Sequence, residues 1–117
     1  MSTNLTSLTG GLLERGALRH TPAGVPVVEF VLEHRSTQFE AGVERKVECV
    51  MDCLAAGPLA PLLTGARLGG VLQATGFLAA RSLKRKTPVL HVNTIEFLEG
   101  NEDGIQTERQ TRPQGQE

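Results

Sequence analysis

Aromatic residues are scarce in this chain. It has four Phe, no Trp and no Tyr among 117 residues. Any aromatic placed in a loop rather than on a core-facing pattern is therefore informative. Cysteine is nearly absent too, with only Cys49 and Cys53. Four positions along a strand span roughly 13 Å, beyond disulfide reach. The pair reads as free thiols on the inward face of one strand, with no second ligand pair to make a zinc site. Free thiols suit a reducing cytoplasm. No apolar run approaches the length of a spanning helix. The start, "MSTNLTSLTGGLLERG", lacks a basic n-region and a long apolar segment, so it does not read as a signal peptide. Nor is there an excess of charge. The formal net charge of −1 excludes a polybasic binder whose affinity rests on whole-chain charge. No nucleophile–base spacing, zinc-protease motif or phosphate loop with a following Lys is present, so nothing reads as an enzyme or calls for a cofactor.

What is plentiful is punctuation. Gly10-Gly11, Gly16, Pro22–Pro26, Gly42, Gly57-Pro58, Gly65, Gly69-Gly70, Gly76 and Pro88 separate short runs rich in Val, Leu and Phe. This spacing predicts an all-β domain over residues 1–99. Strands are expected at Leu5–Leu18, Val27–Gln38, Val43–Leu54, Leu68–Ala79 and Val89–Leu98. The second puts Val28, Phe30 and Leu32 inward. The third puts Val47, Cys49, Met51 and Cys53 inward, and Lys46, Glu48, Val50 and Asp52 outward. Phe30, Phe77 and Phe97 read as core. "TQFEAG" reads as a hairpin loop, and Pro58–Gly65 holds at most a turn or two of helix. Residues 100–117 are polar and aperiodic and read as a disordered tail. Three strands, a short helix and two strands is the order of a five-stranded Greek-key barrel, the OB-fold. An open barrel with Leu5 and Leu8 at its first strand leaves an apolar edge, so a homodimer is expected.

Charge is concentrated at one place. In "RSLKRKT", Arg81, Lys84, Arg85 and Lys86 fall within six positions of the loop between the fourth and fifth strands. An OB-fold grips its ligand with this loop, the loop between strands one and two, and the outer face of strands two and three. Like charges so close repel, and a polyanion relieves that repulsion. The candidate nucleic-acid-binding set is therefore Lys84, Arg85, Lys86 and Arg81 in the loop, Arg35 at the end of the second strand, Arg45 and Lys46 at the start of the third, and Arg19 and His20 between the first two. Phe39 joins it as a stacking residue in the hairpin, or else packs over the barrel mouth or in a dimer. His34 is either a satisfied rim residue or a DNA contact. The outer face also carries Glu29, Glu33, Glu48 and Asp52, which either pair with neighbouring Arg and Lys or meet a basic partner.

"LTGGLLERGALRHTPAGVPVVEFVLEHRSTQFEAG" resembles the single-stranded DNA-binding protein family, and Thr21–Pro26 with Phe30–Ser36 resembles its primosomal branch. The likeness covers about residues 4–99. It implies a homodimeric, cytoplasmic, nucleoid-associated OB-fold protein that binds single-stranded DNA without catalysis. Its partners would be primosome proteins, the restart helicase PriA and the helicase-loading factor DnaT, with no membrane. Arg35 matches a position the family uses at the DNA surface, and the basic loop matches in kind. The chain departs at Val43 and Glu48, where family templates carry aromatics. The alternative readings are a coating protein, although "RPQGQE" is not an acidic tip with an apolar last residue, and an adaptor that binds only protein.

Overall fold

The computed structural model describes residues 2–98. The expected tail, 100–117, lies outside the described residues. The strands are β1 (Thr6–Arg15), β2 (Arg19–His20), β3 (Pro26–Glu40), β4 (Val43–Ala56), β5 (Val71–Ala80) and β6 (Pro88–Leu98). A turn of 3-10 helix, Gly57–Leu59, leads into α1, Ala60–Thr64. Thus the five expected strands form, and a two-residue strand in the first connection makes a sixth. The sheet order is β1-β5-β6-β4-β3-β2, and β1 also pairs with β3, which closes the barrel. All pairings are antiparallel except β4 with β6. This is the OB-fold arrangement the element order predicted.

β1 serves two partners. Its Thr6–Gly11 segment pairs with β5, and Gly11–Arg15 pairs with β3. The handover falls on Gly10-Gly11. A Cβ on Gly10 would lie 2.7 Å from the Glu33 carbonyl oxygen, so only glycine lets β1 turn this close to β3. The core is built from the inward alternation of β3 (Val28, Phe30, Leu32), with Leu12, Cys53, Ala55, Leu72, Ala74, Leu90 and Val92 around it. Ala60 and Leu63 of α1 plug one end. Each large side chain buried here contributes about 1.5–3 kcal/mol relative to exposure. Among the described residues no helix is long and apolar enough to cross a membrane.

Several boundaries differ from the sequence expectation. "TQFEAG" is not a loop. β3 and β4 pair to their ends, Glu40 opposite Val43, and only Ala41 and Gly42 turn the chain. Both have positive φ, 54° and 78°, the form a two-residue hairpin turn needs to match strand twist. The two strands consequently run on as an arm: β1 pairs with β3 only as far as Glu33, and β6 pairs with β4 only over Cys53–Ala55. Cys49 lies on this arm. It is exposed, whereas Cys53 is buried, and both thiols are free. Placing Cys49 inside was an error of coverage. The alternation identified the correct side of the strand, but no second layer covers that side beyond the barrel. Likewise β5 starts at Val71, because Leu68–Gly70 is a turn tied to Leu12 by backbone hydrogen bonds of 2.8 Å.

Of the three Phe assigned to the core, only Phe30 is buried. Phe77 lies on the outer row of β5 with Val71, Gln73 and Thr75, while Leu72, Ala74 and Gly76 face in. Phe97 is paired with buried Leu72 but sits near the open end of β6 and stays about half exposed.

The two cysteines should behave oppositely. Burial above all, and then the neighbouring Asp52 carboxylate, push the Cys53 thiol from 9.0 up to about 12. The thiolate is the reactive form. A thiol reagent is expected to modify Cys49 in the native protein and Cys53 only with unfolding, read by intact mass over time. Because the folded state holds the Cys53 proton more tightly, that residue's stabilising contribution is complete below pH 9 and is lost as pH rises toward about 12.

Candidate nucleic-acid interface

The β5–β6 hairpin carries the basic loop. Its seven residues are ordered rather than trailing. The Arg81 amide donates to the Thr87 carbonyl and the Ser82 amide to the Arg85 carbonyl, each at 3.0 Å. The Arg85 amide in turn donates to Ser82 Oγ at 3.0 Å. Leu83 stands at the tip, 90% exposed. Lys84, Arg85 and Lys86 are splayed into solvent around it, and none has a carboxylate partner among the described residues.

The arginines below the loop are differently placed. Arg81 donates to Asp52 of β4 and stands 3.9 Å from Glu29 of β3. Arg19 of β2 donates to the other Glu29 oxygen at 2.7 Å. These four side chains form a chain of alternating charge across three strands and the loop base. They line a cleft of about 460 Å³ together with Glu14, Arg15, Phe30 and His91. His20, beside Arg19, is exposed and in register with Pro26.

On the arm, side chains opposite one another share a face. Arg35 opposes Glu48, Lys46 opposes Thr37, and Phe39 opposes Glu44, all on the outer side. Arg35 also donates to Glu33 at 3.1 Å. Lys46 has no ion pair among the described residues. Phe39 is 76% exposed and belongs to β3 rather than to a loop tip. Arg45 opposes Gln38 on the other face and pairs with Glu40 at 2.6 Å. The structure therefore gathers Lys84, Arg85 and Lys86 on the hairpin turn, Arg19 and Arg81 in the cleft, and Arg35, Lys46 and Phe39 along the outer arm. Arg45 is turned away from that line.

His34 is satisfied where it stands. Its Nδ1–H donates to the Thr9 carbonyl at 2.6 Å, and its Nε2 accepts from Ser36 Oγ at 2.7 Å. Gln38 Nε2 donates to Ser36 Oγ at 2.9 Å, so a short hydrogen-bonded relay pins the root of the arm to β1. Among the described residues no group of three or more His, Cys, Asp or Glu is placed to hold a metal ion.

An OB barrel with a cationic turn at the end of its last hairpin and a charged cleft beneath is the layout of a single-strand-binding protein. Residues 4–94 match the profile described as "Another single-strand binding protein family", and the chain belongs to that family. Its relatives include the replication restart protein PriB of Bordetella pertussis (strain Tohama I), 40% identical over 98 residues, which are 84% of this chain and 92% of that protein. The replication restart protein PriB of Photorhabdus laumondii is 35% identical over 105 residues, covering 87% of this chain and 100% of that one. The crystal structure of PriB from Ralstonia solanacearum superposes with a TM-score of 0.75 at 37% identity, over 84% of this chain and 100% of that chain. The single-stranded DNA binding protein of Thermus aquaticus shares the fold, with a TM-score of 0.69 at 23% identity over 86% of this chain and 52% of that one.

Proposed function

We propose that this chain is a replication restart protein of the PriB type. It binds single-stranded DNA as a homodimer and links the restart helicase (PriA) to the helicase-loading factor (DnaT). The family membership and the PriB relatives support the role. The observation that carries DNA binding is the contrast within the site. The arginines of the OB face, Arg19, Arg35 and Arg81, all have carboxylate partners. Lys84, Arg85 and Lys86 have none among the described residues, and they stand on an ordered turn at the rim of that face. A single strand is held chiefly by this turn and passes over a face whose arginines are already paired, with Lys46 the one basic side chain of the outer arm that has no ion pair among the described residues. That predicts a weak, non-coating grip with surface left for proteins. The homodimer is supported by the Thr6–Gly10 edge of β1, which among the described residues pairs only with β5, and by exposed Leu5 beside it.

The test is a salt titration of binding to labelled oligo-dT, with the mass of the complex measured by sedimentation. Three to four phosphate contacts give a log–log slope of roughly −2 to −3, at about −0.7 per phosphate on a single strand. A dimer's mass and a slope in this range are expected. No binding at low salt would leave the protein-only adaptor in its place.

A further inference from the structure

The sequence pattern reads Phe77 as core, and its neighbour across the β5–β6 hairpin is His91. The structure puts both on the outside of the barrel, face to face. They are register partners on β5 and β6, and their rings stack with centroids 5.1 Å apart and planes 9° from parallel. This is the one ring–ring contact among the described residues. Phe77 remains 40% exposed. The arrangement depends on the residue before it. The register shifts between Thr75 and Gly76, and Gly76 lies so close to the His91 backbone that no side chain fits there. The strands are drawn together where the two rings meet.

We propose that the Phe77–His91 pair is a base-stacking platform for the single strand whose phosphates the Lys84–Lys86 turn holds; the inference rests on the DNA-binding reading above. Three arguments place a nucleobase there. The first is distance. Phe77 is three residues before the end of β5 and His91 three after the start of β6, so the platform lies roughly 10 Å from the base of the turn. A short piece of strand anchored on that turn reaches it. The second is shape. His91 takes one face of the Phe77 ring, and the part of Phe77 that stays exposed offers the remaining aromatic surface, which every base can use regardless of sequence. The third is charge. The route along the arm carries Glu44 and Glu48 on its outer face, opposite Phe39 and Arg35, where phosphates would meet carboxylates. His91 instead sits on the hairpin whose turn carries Lys84, Arg85 and Lys86, which have no carboxylate partner among the described residues, and the cleft it borders sets Arg15, Arg19 and Arg81 against Glu14, Glu29 and Asp52. Stacking therefore moves from the β3–β4 arm to the β5–β6 hairpin, beside the cations that are free to take phosphate.

The scarcity of aromatics makes the test clean. The Phe77→Trp variant carries a single tryptophan in a chain that has no Trp and no Tyr. Labelled oligo-dT anisotropy and tryptophan emission are followed in one titration at low salt. The expected result is a saturable fall in emission with the same midpoint as the anisotropy, and no fall in the Phe97→Trp variant, whose site is far along β6. The Phe77→Ala variant is expected to bind about five- to 150-fold more weakly with the salt slope unchanged, because stacking displaces no counterions. Anisotropy that rises while emission of the Phe77→Trp variant stays flat overturns the platform and leaves DNA binding standing. A lower assembly mass for Phe77→Ala with unchanged oligo-dT binding also overturns it, marking a surface for a second copy of the chain. No anisotropy change with the wild-type protein overturns both readings.

Discussion

Replacing Lys84, Arg85 and Lys86 together by Ala is expected to weaken oligo-dT binding on the order of a hundredfold at low salt, and to flatten the log–log salt slope by about 2. The three side chains extend from a turn whose shape is set by backbone hydrogen bonds and Ser82 Oγ, not by the cations themselves. Removing them leaves those bonds in place, so melting temperature and assembly mass should stay where they are. The loss should be alike for every base sequence, since phosphate contacts position a strand without reading it. Anisotropy titrations at several salt concentrations, with oligo-dT and a mixed-sequence oligonucleotide, measure both quantities. Unchanged binding at low salt would mean that the turn holds another partner.

The Arg81→Ala variant is not equivalent to the triple substitution. Arg81 is already committed to Asp52 and Glu29, and its side chain is only a third exposed. Its removal unties the base of the hairpin from β4, leaves Asp52 without its ion pair and leaves Glu29 paired with Arg19 only. Position along the chain suggests four equivalent cations; tertiary contacts separate one anchor from three free charges.

The second large effect is structural. Gly76→Ala is expected to abolish cooperative folding. A Cβ there would stand 2.8 Å from the His91 carbonyl carbon and 2.9 Å from Val92 Cα, and in direct collision with the His91 oxygen. All three are backbone atoms of the paired strand, so no rotamer change relieves the clash. β5 and β6 would have to part along a hairpin that supplies the edges of both β1 and β4 to the barrel. A loss above about 4–5 kcal/mol is a large share of the 5–15 kcal/mol that holds a domain of this size. Gly65→Ala is the control. Nothing lies within 4 Å of a Cβ at Gly65, and its φ of −97° is open to alanine. Its thermal unfolding, followed by circular dichroism, should match the wild type within a few degrees. A Gly76→Ala variant that melts near the wild type would show that the strands are not so closely packed there.

The inward alternation of Val28, Phe30 and Leu32, the break at Gly10-Gly11, the order of the elements and the cluster in "RSLKRKT" were legible in the sequence, because each is a local property. Side chains on a strand alternate whatever the rest of the chain does, glycine is needed wherever two backbones approach, and charges adjacent in sequence stay adjacent in space. These sufficed for the barrel, the family and the cationic turn. Tertiary structure alone decided coverage and partnership. Cys49 and Phe77 each obey the two-residue period, yet the period says only that residues share a side, not whether another layer lies over it. Cys49 is outside because β3 and β4 outrun the barrel, and Phe77 because it falls on the row of Val71, Gln73 and Thr75, opposite the row of Leu72 and Ala74 that the core covers. The pairing of Arg19, Glu29, Asp52 and Arg81 joins residues from separate elements that only barrel closure brings together. Which basic groups remain free for phosphate therefore depends on distances through space, which no pattern along the chain encodes.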